Sequence, residues 1–333
     1  MPPAGAKRMN SGGLAWGAGI VNHGGFDDLE ACLDSLRRQT WLPEQIVVWD
    51  TGVDPQRLDR VARAHPGVGF LRGSNLGYAG GANRVLAALQ APKTSIEFPL
   101  VLNPDVVLDE DFAERMLARL AGEPEVAIAG GKLLRRDRRT LDSAGIVFPR
   151  HRRPRDRGSE ELDRGQYDSA ERVEGVSGAA MWLRASELEA LSLEGEVFDE
   201  SFFAYHEDTD LCWRARRMGY HVLYEPAAVA IHARGWKRDE RARIPVEIRR
   251  HSFKNHYLQL VKNESAVGWL LNAPWLLSWE VLRLGFVLLR DRGLLPAYGE
   301  AYRNLGTARR RRKLVSARSS GARRAAVPPA SGE

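Results

Sequence analysis

Four short apolar runs, each followed by a polar residue and separated from the next by a helix-like pattern, restrict the fold of this chain more than any other feature. Leu14 to Val21 ends at Asn22, and Gln45 to Trp49 ends at Asp50. Val68 to Leu71 leads to Asn75, and Phe98 to Leu102 leads to Asn103-Pro104-Asp105. Continuous apolar runs suit strands buried on both faces. Strands alternating with helices at this spacing predict an α/β fold with a mainly parallel, Rossmann-like sheet. The intervening segments carry helical periodicity: Leu29, Cys32, Leu33 and Leu36 behind a cap at Asp27 or Asp28, then Leu58 to Ala64, then a run ending near Leu89. In such sheets ligands bind beyond the carboxyl ends of the strands. Asn22, Asp50, Asn75 and Asp105 are therefore candidates as a set.

Val126 to Gly131 adds another strand, followed by an Arg-rich, turn-rich segment from Arg135 to Arg172. It suggests a hairpin and a mobile loop over the site, with most of its arginines simply solvated. Val176 to Arg184 reads as a strand whose small residues admit a ligand close to the backbone. His221 to Pro226 and Ala228 to Ile231 read as two strands, the second ending in His232.

The stretch Phe202-Phe203-Ala204-Tyr205-His206-Glu207-Asp208-Thr209-Asp210-Leu211-Cys212-Trp213-Arg214 sets three carboxylates and a histidine among aromatic and apolar residues. A carboxylate held against apolar neighbours has a raised pKa and becomes a better proton acceptor. Asp208 is the candidate general base, with Glu207 beside it. The plainer reading is a helix start in which Glu207 and Asp208 answer the helix dipole and Asp210 pairs with Arg214 one turn on. For Asp210 and Arg214 that plainer reading is kept.

Composition adds limits. With 333 residues, 44% apolar and 28% charged, the chain can build one large core and resembles an ordinary globular protein. Its formal net charge of +6 points to an anionic partner. Both cysteines, Cys32 and Cys212, sit in apolar helical patterns, which favours buried free thiols and a reducing compartment. Residues 1–13 are small and Pro/Gly-rich without an apolar run, so a disordered N-terminus is expected rather than a signal peptide.

The character changes at Trp236. Ile248 to Val261 is a basic amphipathic pattern, and Val267 to Leu289 is strongly apolar, with Trp269, Trp275, Trp279 and Phe286. Pro274, Glu280 and Arg283 interrupt the roughly 20 uncharged residues a membrane span needs. Two readings stand: interfacial helices with tryptophans at headgroup level, or helices packed on the catalytic domain or a second copy. Residues 236–305 are taken as a helical, membrane-associating region. Residues 306–333, with Arg309 to Lys313 and further arginines, are taken as a disordered basic tail able to bind anionic lipid.

Taken together the chain resembles the inverting family 2 glycosyltransferases of GT-A fold, and within them a bacterial rhamnosyltransferase-like branch that builds cell-surface polysaccharides. The resemblance rests on Ile20-Val21-Asn22, Asp50, Asn75-Leu76-Gly77-Tyr78-Ala79-Gly80-Gly81-Ala82-Asn83, Leu102-Asn103-Pro104-Asp105, Ser177-Gly178-Ala179, the Phe203 to Arg214 stretch, and Ile231-His232, in the family's order. It covers roughly Leu14 to Gly235, the transferase domain being taken as 14–235. It implies that Asp50, with Asn22, Asn75, Gly77, Asn83 and Asn103, contacts a nucleotide-sugar donor. It implies that Asp105 and His232 hold a divalent cation, Mg2+ or Mn2+, and that Asp208 deprotonates the acceptor. The implied donor is dTDP-rhamnose, with UDP-sugars open. The implied acceptor is a glycan or a polyprenyl-diphosphate-linked sugar, at the inner, cytoplasmic face of a membrane. Asn103 replaces the usual first acid of an Asp-x-Asp motif, Asp50-Thr51-Gly52-Val53-Asp54 shortens a family loop, and His23 stands where a tyrosine is common. A sugar nucleotidyltransferase would want a Gly-rich basic loop after the first strand, which Asn22-His23-Gly24-Gly25 lacks. No nucleic-acid partner is expected, because the positive charge gathers in the insertion and tail instead of on a reading element. An inactive scaffold is disfavoured by the intact Asp105 and Asp208.

Overall fold

The apolar runs do form strands, and their burial explains why. In the computed structural model, which describes residues 14–92, 94–233 and 244–325 with side chains to 319, β1 (Trp16–Asn22) is buried along its whole length. β2 (Gln45–Asp50) and β4 (Phe98–Leu102) flank it in parallel, and β3 (Val68–Arg72) lies beyond β2. The helices α1 (Phe26–Arg37), α2 (Pro55–Ala64) and α3 (Gly77–Leu89) connect them. Asp54 caps α2 by accepting from Arg57 N at 3.0 Å, which gives that acid a structural task. After β3 the chain crosses to the other side of β1 to make β4. The crevice between β1 and β4 is thus a topological switch point, where open α/β sheets bind ligands.

The short β5 (Val106–Leu108), α4 (Phe112–Ala121) and β6 (Val126–Leu134) follow. β7 (Leu141–Ser143) pairs with β6, and β8 (Ile146–Val147) with β9 (Arg155–Asp156) forms the expected hairpin of the insertion. β10 (Glu171–Arg172) borders the sheet, and β11 (Ala180–Leu183) enters it antiparallel between β4 and β6. α5 (Leu188–Leu191) and α6 (Glu207–Arg217) precede β12 (His221–His232), one bulged strand where two were expected, parallel to β6. The order is β10-β12-β6-β11-β4-β1-β2-β3. One face packs against α1, α2 and α4, the other against α3, α5 and α6. Cys32 and Cys212 are free and buried, as expected.

The last three helices are α7 (Val246–Asn263), α8 (Ala266–Arg290) and α9 (Leu295–Ala325). The tail expected to be disordered from 306 is helical through Ala325. Arg310 and Arg311 pair with Glu194, and Arg311 with Glu196 at 2.8 Å, so its arginines have local partners that a count of basic residues does not reveal. Residues 1–13, the 234–243 stretch containing the expected domain boundary, and the tail beyond 325 lie outside the described residues. No helix among the described residues is long and apolar enough to cross a membrane. The charges that break the apolar run in α8 point inward: Glu280 accepts from the hydroxyls of Tyr257 and Tyr298, and Arg283 lies 3.7 Å over the Phe253 ring. The outward residues are left apolar, with Leu270 77% and Leu289 82% exposed.

Candidate active site

The carboxyl ends of β1, β2 and β4 share one edge of the sheet. Asn22 and Asp50 sit in register there; Asn22 Nδ2 donates to Asp50 Oδ2 at 2.6 Å and Gly52 N donates to Oδ1 at 2.8 Å. Both side chains are fully buried. The structure brings the two together as one buried pair at this edge. Asp50 closes an Asx-type turn and braces Asn22, and what reaches the surface is the backbone around Gly52, at φ +75° with open space about it.

Asn75 is exposed and its Oδ1 accepts from Gly77 N at 2.9 Å. Gly77 has φ +71°, and a Cβ there would lie 2.2 Å from the carbonyl oxygen of Phe203. Ala79 N donates to that oxygen at 3.1 Å. The glycine loop is thus the seat on which the Phe203 stretch rests. The Asn83 amide donates to Phe198 O at 2.8 Å and Glu200 Oε1 at 3.0 Å, and its Oδ1 accepts from Phe198 N at 2.9 Å. It joins α3 to the segment before the Phe203 stretch, with one lone pair of Oδ1 left over.

A short relay connects the switch-point edge to Asp208. Asn103 N donates to Ala179 O at 2.9 Å, and Gly178 N donates to Asp208 Oδ2 at 2.9 Å. The Tyr78 hydroxyl donates to Gly178 O at 2.6 Å. Thr209 N donates to Asp208 Oδ1 at 2.7 Å. Burial raises the Asp208 pKa, aided by the charge of Asp156 on β9 and opposed by the two backbone N–H groups. Each oxygen keeps a second lone pair for an incoming proton. Glu207 is buried, its Oε2 has no partner, and burial with the Asp208 charge next to it pushes its pKa well above the usual range. Burial, then the charges of Glu207, Asp208 and Asp105, push the Tyr78 phenol up in turn.

Asp105 lies just past β4, and β12 pairs with β5 so that His232 faces it. Asp105 Oδ1 is 3.4 Å from His232 Nε2, and His232 Nδ1 is 2.7 Å from Asp142 Oδ2. Arg135 Nε stands 2.8 Å from Asp142 Oδ1. Burial opposes the His232 proton, but hydrogen bonds and charge from Asp105 and Asp142 outweigh it and push the pKa up to about 9. Two flanking carboxylates favour the doubly protonated imidazole, and a cation at Nε2 would take the place of one of those protons. A carboxylate fixing Nδ1 is the arrangement of metal-ligating histidines. The pair fits a hard divalent cation whose remaining ligands are substrate and water oxygens. Among the described residues no group of three His, Cys, Asp or Glu side chains could hold a metal unaided.

Sequence reasoning missed the device that holds the catalytic stretch. Phe203, Tyr205 and His206 all have positive φ, 64°, 68° and 71°. Such non-glycine residues cost of order 1–3 kcal/mol each and persist only where the surroundings over-determine them. Here α7 does so. Asn255 Nδ2 donates to the carbonyls of Phe202 at 2.8 Å, Ala204 at 2.9 Å and Tyr205 at 2.8 Å. Gln259 Oε1 accepts from Thr209 Oγ1 at 2.8 Å, and Asn263 Nδ2 donates to Asp210 Oδ1 at 2.6 Å. Lys262 Nζ reaches Asp210 Oδ2 at 2.8 Å, beside the expected Asp210–Arg214 pair at 3.4 Å, all of it buried. A polar side chain every third or fourth residue was the available signal: Asn255, Gln259, Lys262 and Asn263 all share this buried face.

Residues 19–177 match the family model described as Glycosyl transferase family 2. The chain carries a family 2 glycosyltransferase domain. The N-acetylglucosaminyl-diphospho-decaprenol L-rhamnosyltransferase of Mycobacterium tuberculosis is similar to it, 28% identical over 290 residues, covering 79% of this chain and 89% of that protein. Among solved structures, the mannosyltransferase PcManGT from Pyrobaculum calidifontis, in complex with GDP-Man and Mn2+, superposes with a TM-score of 0.54 at 17% identity over 95% of this chain and 89% of that one. GalNAc-T7 with UDP, GalNAc and Mn2+ gives 0.55 at 13% identity over 75% of this chain, which spans about half of that structure (48%). These likenesses place the transferase domain on the GT-A fold, with the C-terminal helices added to it.

Proposed function

We propose that the chain is an inverting rhamnosyltransferase that moves rhamnose from dTDP-rhamnose to a polyprenyl-diphosphate-linked sugar in bacterial cell-surface polysaccharide synthesis, working at the inner face of the membrane. The observation that carries this reading is Asp208, raised in pKa and fixed on Gly178 N, on the same strand edge as Asp105 and His232. The name of the mycobacterial relative supports the sugar and the acceptor class.

The donor lies in the crevice between β1 and β4, its nucleotide against the Thr51–Gly52 backbone and Asn75. Asp105 and His232 would hold Mg2+ or Mn2+, with the Asn103 carbonyl group as a neutral neighbour. A divalent cation, when bound, neutralises the leaving diphosphate. Asp208 takes the proton of the acceptor hydroxyl as its oxygen attacks the anomeric carbon, and the bond to the diphosphate breaks on the opposite side, inverting that centre. Burial and the Asp208 charge bias Glu207 toward its protonated form, which limits the negative charge beside the acceptor. Asp142 holds the His232 ring. The uncharged outer face of α8 gives the protein a surface that lies on the membrane without crossing it.

A donor screen tests this. Transfer from dTDP-rhamnose, UDP-glucose, UDP-N-acetylglucosamine and GDP-mannose is measured on a polyprenyl-diphosphate-linked N-acetylglucosamine with Mg2+ or Mn2+. The expected result is rhamnosyl transfer with inverted configuration by NMR. Preference for another donor, or retention of configuration, overturns it.

A further inference from the structure

The β8–β9 hairpin reaches from the neighbourhood of Asp208 to the apolar face of α8. At its base Asp156 lies near enough to Asp208 to raise its pKa by charge. On its side Phe148 packs on Trp213 of α6, ring centroids 4.9 Å apart, and Arg152 pairs with Glu264 while lying 5.6 Å over Trp213. At its turn the Arg150 guanidinium lies 4.2 Å from the ring centre of Trp275, His151 stacks on Trp279 at 4.4 Å and 17°, and Arg153 lies 5.8 Å from Trp279. Arg150 and Arg153 are exposed.

We propose that this turn and the tryptophans beneath it bind the diphosphate of the acceptor, with the prenyl chain running onto the outer face of α8. The order of the parts matches the order of the ligand: sugar at Asp208, diphosphate at Arg150 and Arg153, lipid along Leu270, Leu277, Val281 and Leu289. A guanidinium held over an indole face keeps N–H donors free for an anion, and its planar fork binds phosphate oxygens in pairs. Tryptophan at this level suits the boundary between headgroups and acyl chains. The outer face of α8 carries no charged side chain between Val267 and Leu289, because Glu280 and Arg283 point toward α7 and α9. Charge complementarity favours an anionic headgroup here over a second copy of this basic chain.

The inference rests on the proposed acceptor class, so its test is read without donor or turnover. The full-length protein is floated with phosphatidylcholine vesicles containing either a polyprenyl diphosphate or phosphatidylglycerol at matched charge. The wild-type protein is expected to bind the diphosphate vesicles at least about tenfold more tightly, the loss of one good charge-assisted contact. The R150A/R153A double variant, altered only at exposed positions, should lose that preference while keeping its melting temperature. Trp275→Leu, which removes the platform and leaves the charge, should reduce it. Equal binding of both vesicles by the wild type, a double variant that keeps the preference, or a dimer that buries α8 and ignores vesicles each overturns the proposal. Selective binding without any rhamnosyl transfer would overturn the functional reading and leave this site standing.

Discussion

The proposed active site has two halves, one for donor and one for acceptor, built by different physics. The donor half is made of strand ends and turns: Asn22, Asp50 and Gly52 are fixed by the register of β1 against β2. Little strain is needed, because a parallel sheet already aligns its carboxyl ends. The acceptor half is a bent segment with three non-glycine residues at positive φ, held down by one asparagine from a helix late in the chain. A sheet edge places groups by its own geometry, whereas a strained loop needs a partner that grips it. The first half should therefore tolerate loss of a side chain as weaker donor binding, and the second as slower chemistry.

The largest effect is expected from Asp208→Asn, which leaves the fold and the Gly178 contact but removes the base. The kcat should fall by about 10²–10⁴-fold while donor affinity by calorimetry is unchanged. In the wild-type protein the acid limb of kcat/KM should lie above the ordinary aspartate pKa of about 4, since burial holds Asp208 protonated to higher pH. Next comes Asn255→Ala. Releasing the three carbonyls should lower kcat by about 10–100-fold, the scale of a misplacement near 1 Å, with donor Kd kept. A donor Kd that moves as much as kcat would erase the contrast between the halves. Asp50→Ala should do the reverse, raising donor Kd about tenfold, roughly the cost of unpairing a buried group such as the Asn22 amide, with acceptor kinetics nearly intact.

The smallest effect concerns stability. The Glu207 pKa is raised on folding, so between its unfolded and folded values the native state holds a proton that the unfolded chain has released, and stability falls as pH rises through that window. Glu207→Gln removes this slope. Its melting temperature should exceed the wild type by about 2–4 °C at pH 8 if the gain is near 1 kcal/mol, converging with it toward pH 4. A constant offset at every pH would sink the assignment of a buried neutral acid.

Strand runs, their order and the acids at their ends were legible in the sequence because fully buried strands read as unbroken apolar stretches. β4 was placed to the residue, and the Asp208 stretch was singled out. The roles of Asp50 and Asn83 were not legible. An asparagine or aspartate closes a turn, as Asp50 does, or joins elements, as Asn83 does, as readily as it meets a ligand, and residue type alone does not separate these. α7 escaped for a different reason. Its buried face is Asn255, Gln259, Lys262 and Asn263, so a search for apolar periodicity scored its interior side as surface. Asp142, inside an Arg-rich segment taken as solvated, was hidden in the same way; its partner His232 lies 90 residues away.

The grip of Asn255 on the bent peptide also sets where the enzyme can be shortened. Residues 19–177 carry the recognisable family pattern, yet a protein cut after residue 244 would retain every described strand with Asp105, Glu207 and Asp208 while losing the amide that fixes the backbone just ahead of Asp208. Such a fragment would be expected to bind a sugar nucleotide and turn it over poorly, and screening fragments by ligand binding alone would mistake it for an intact catalyst.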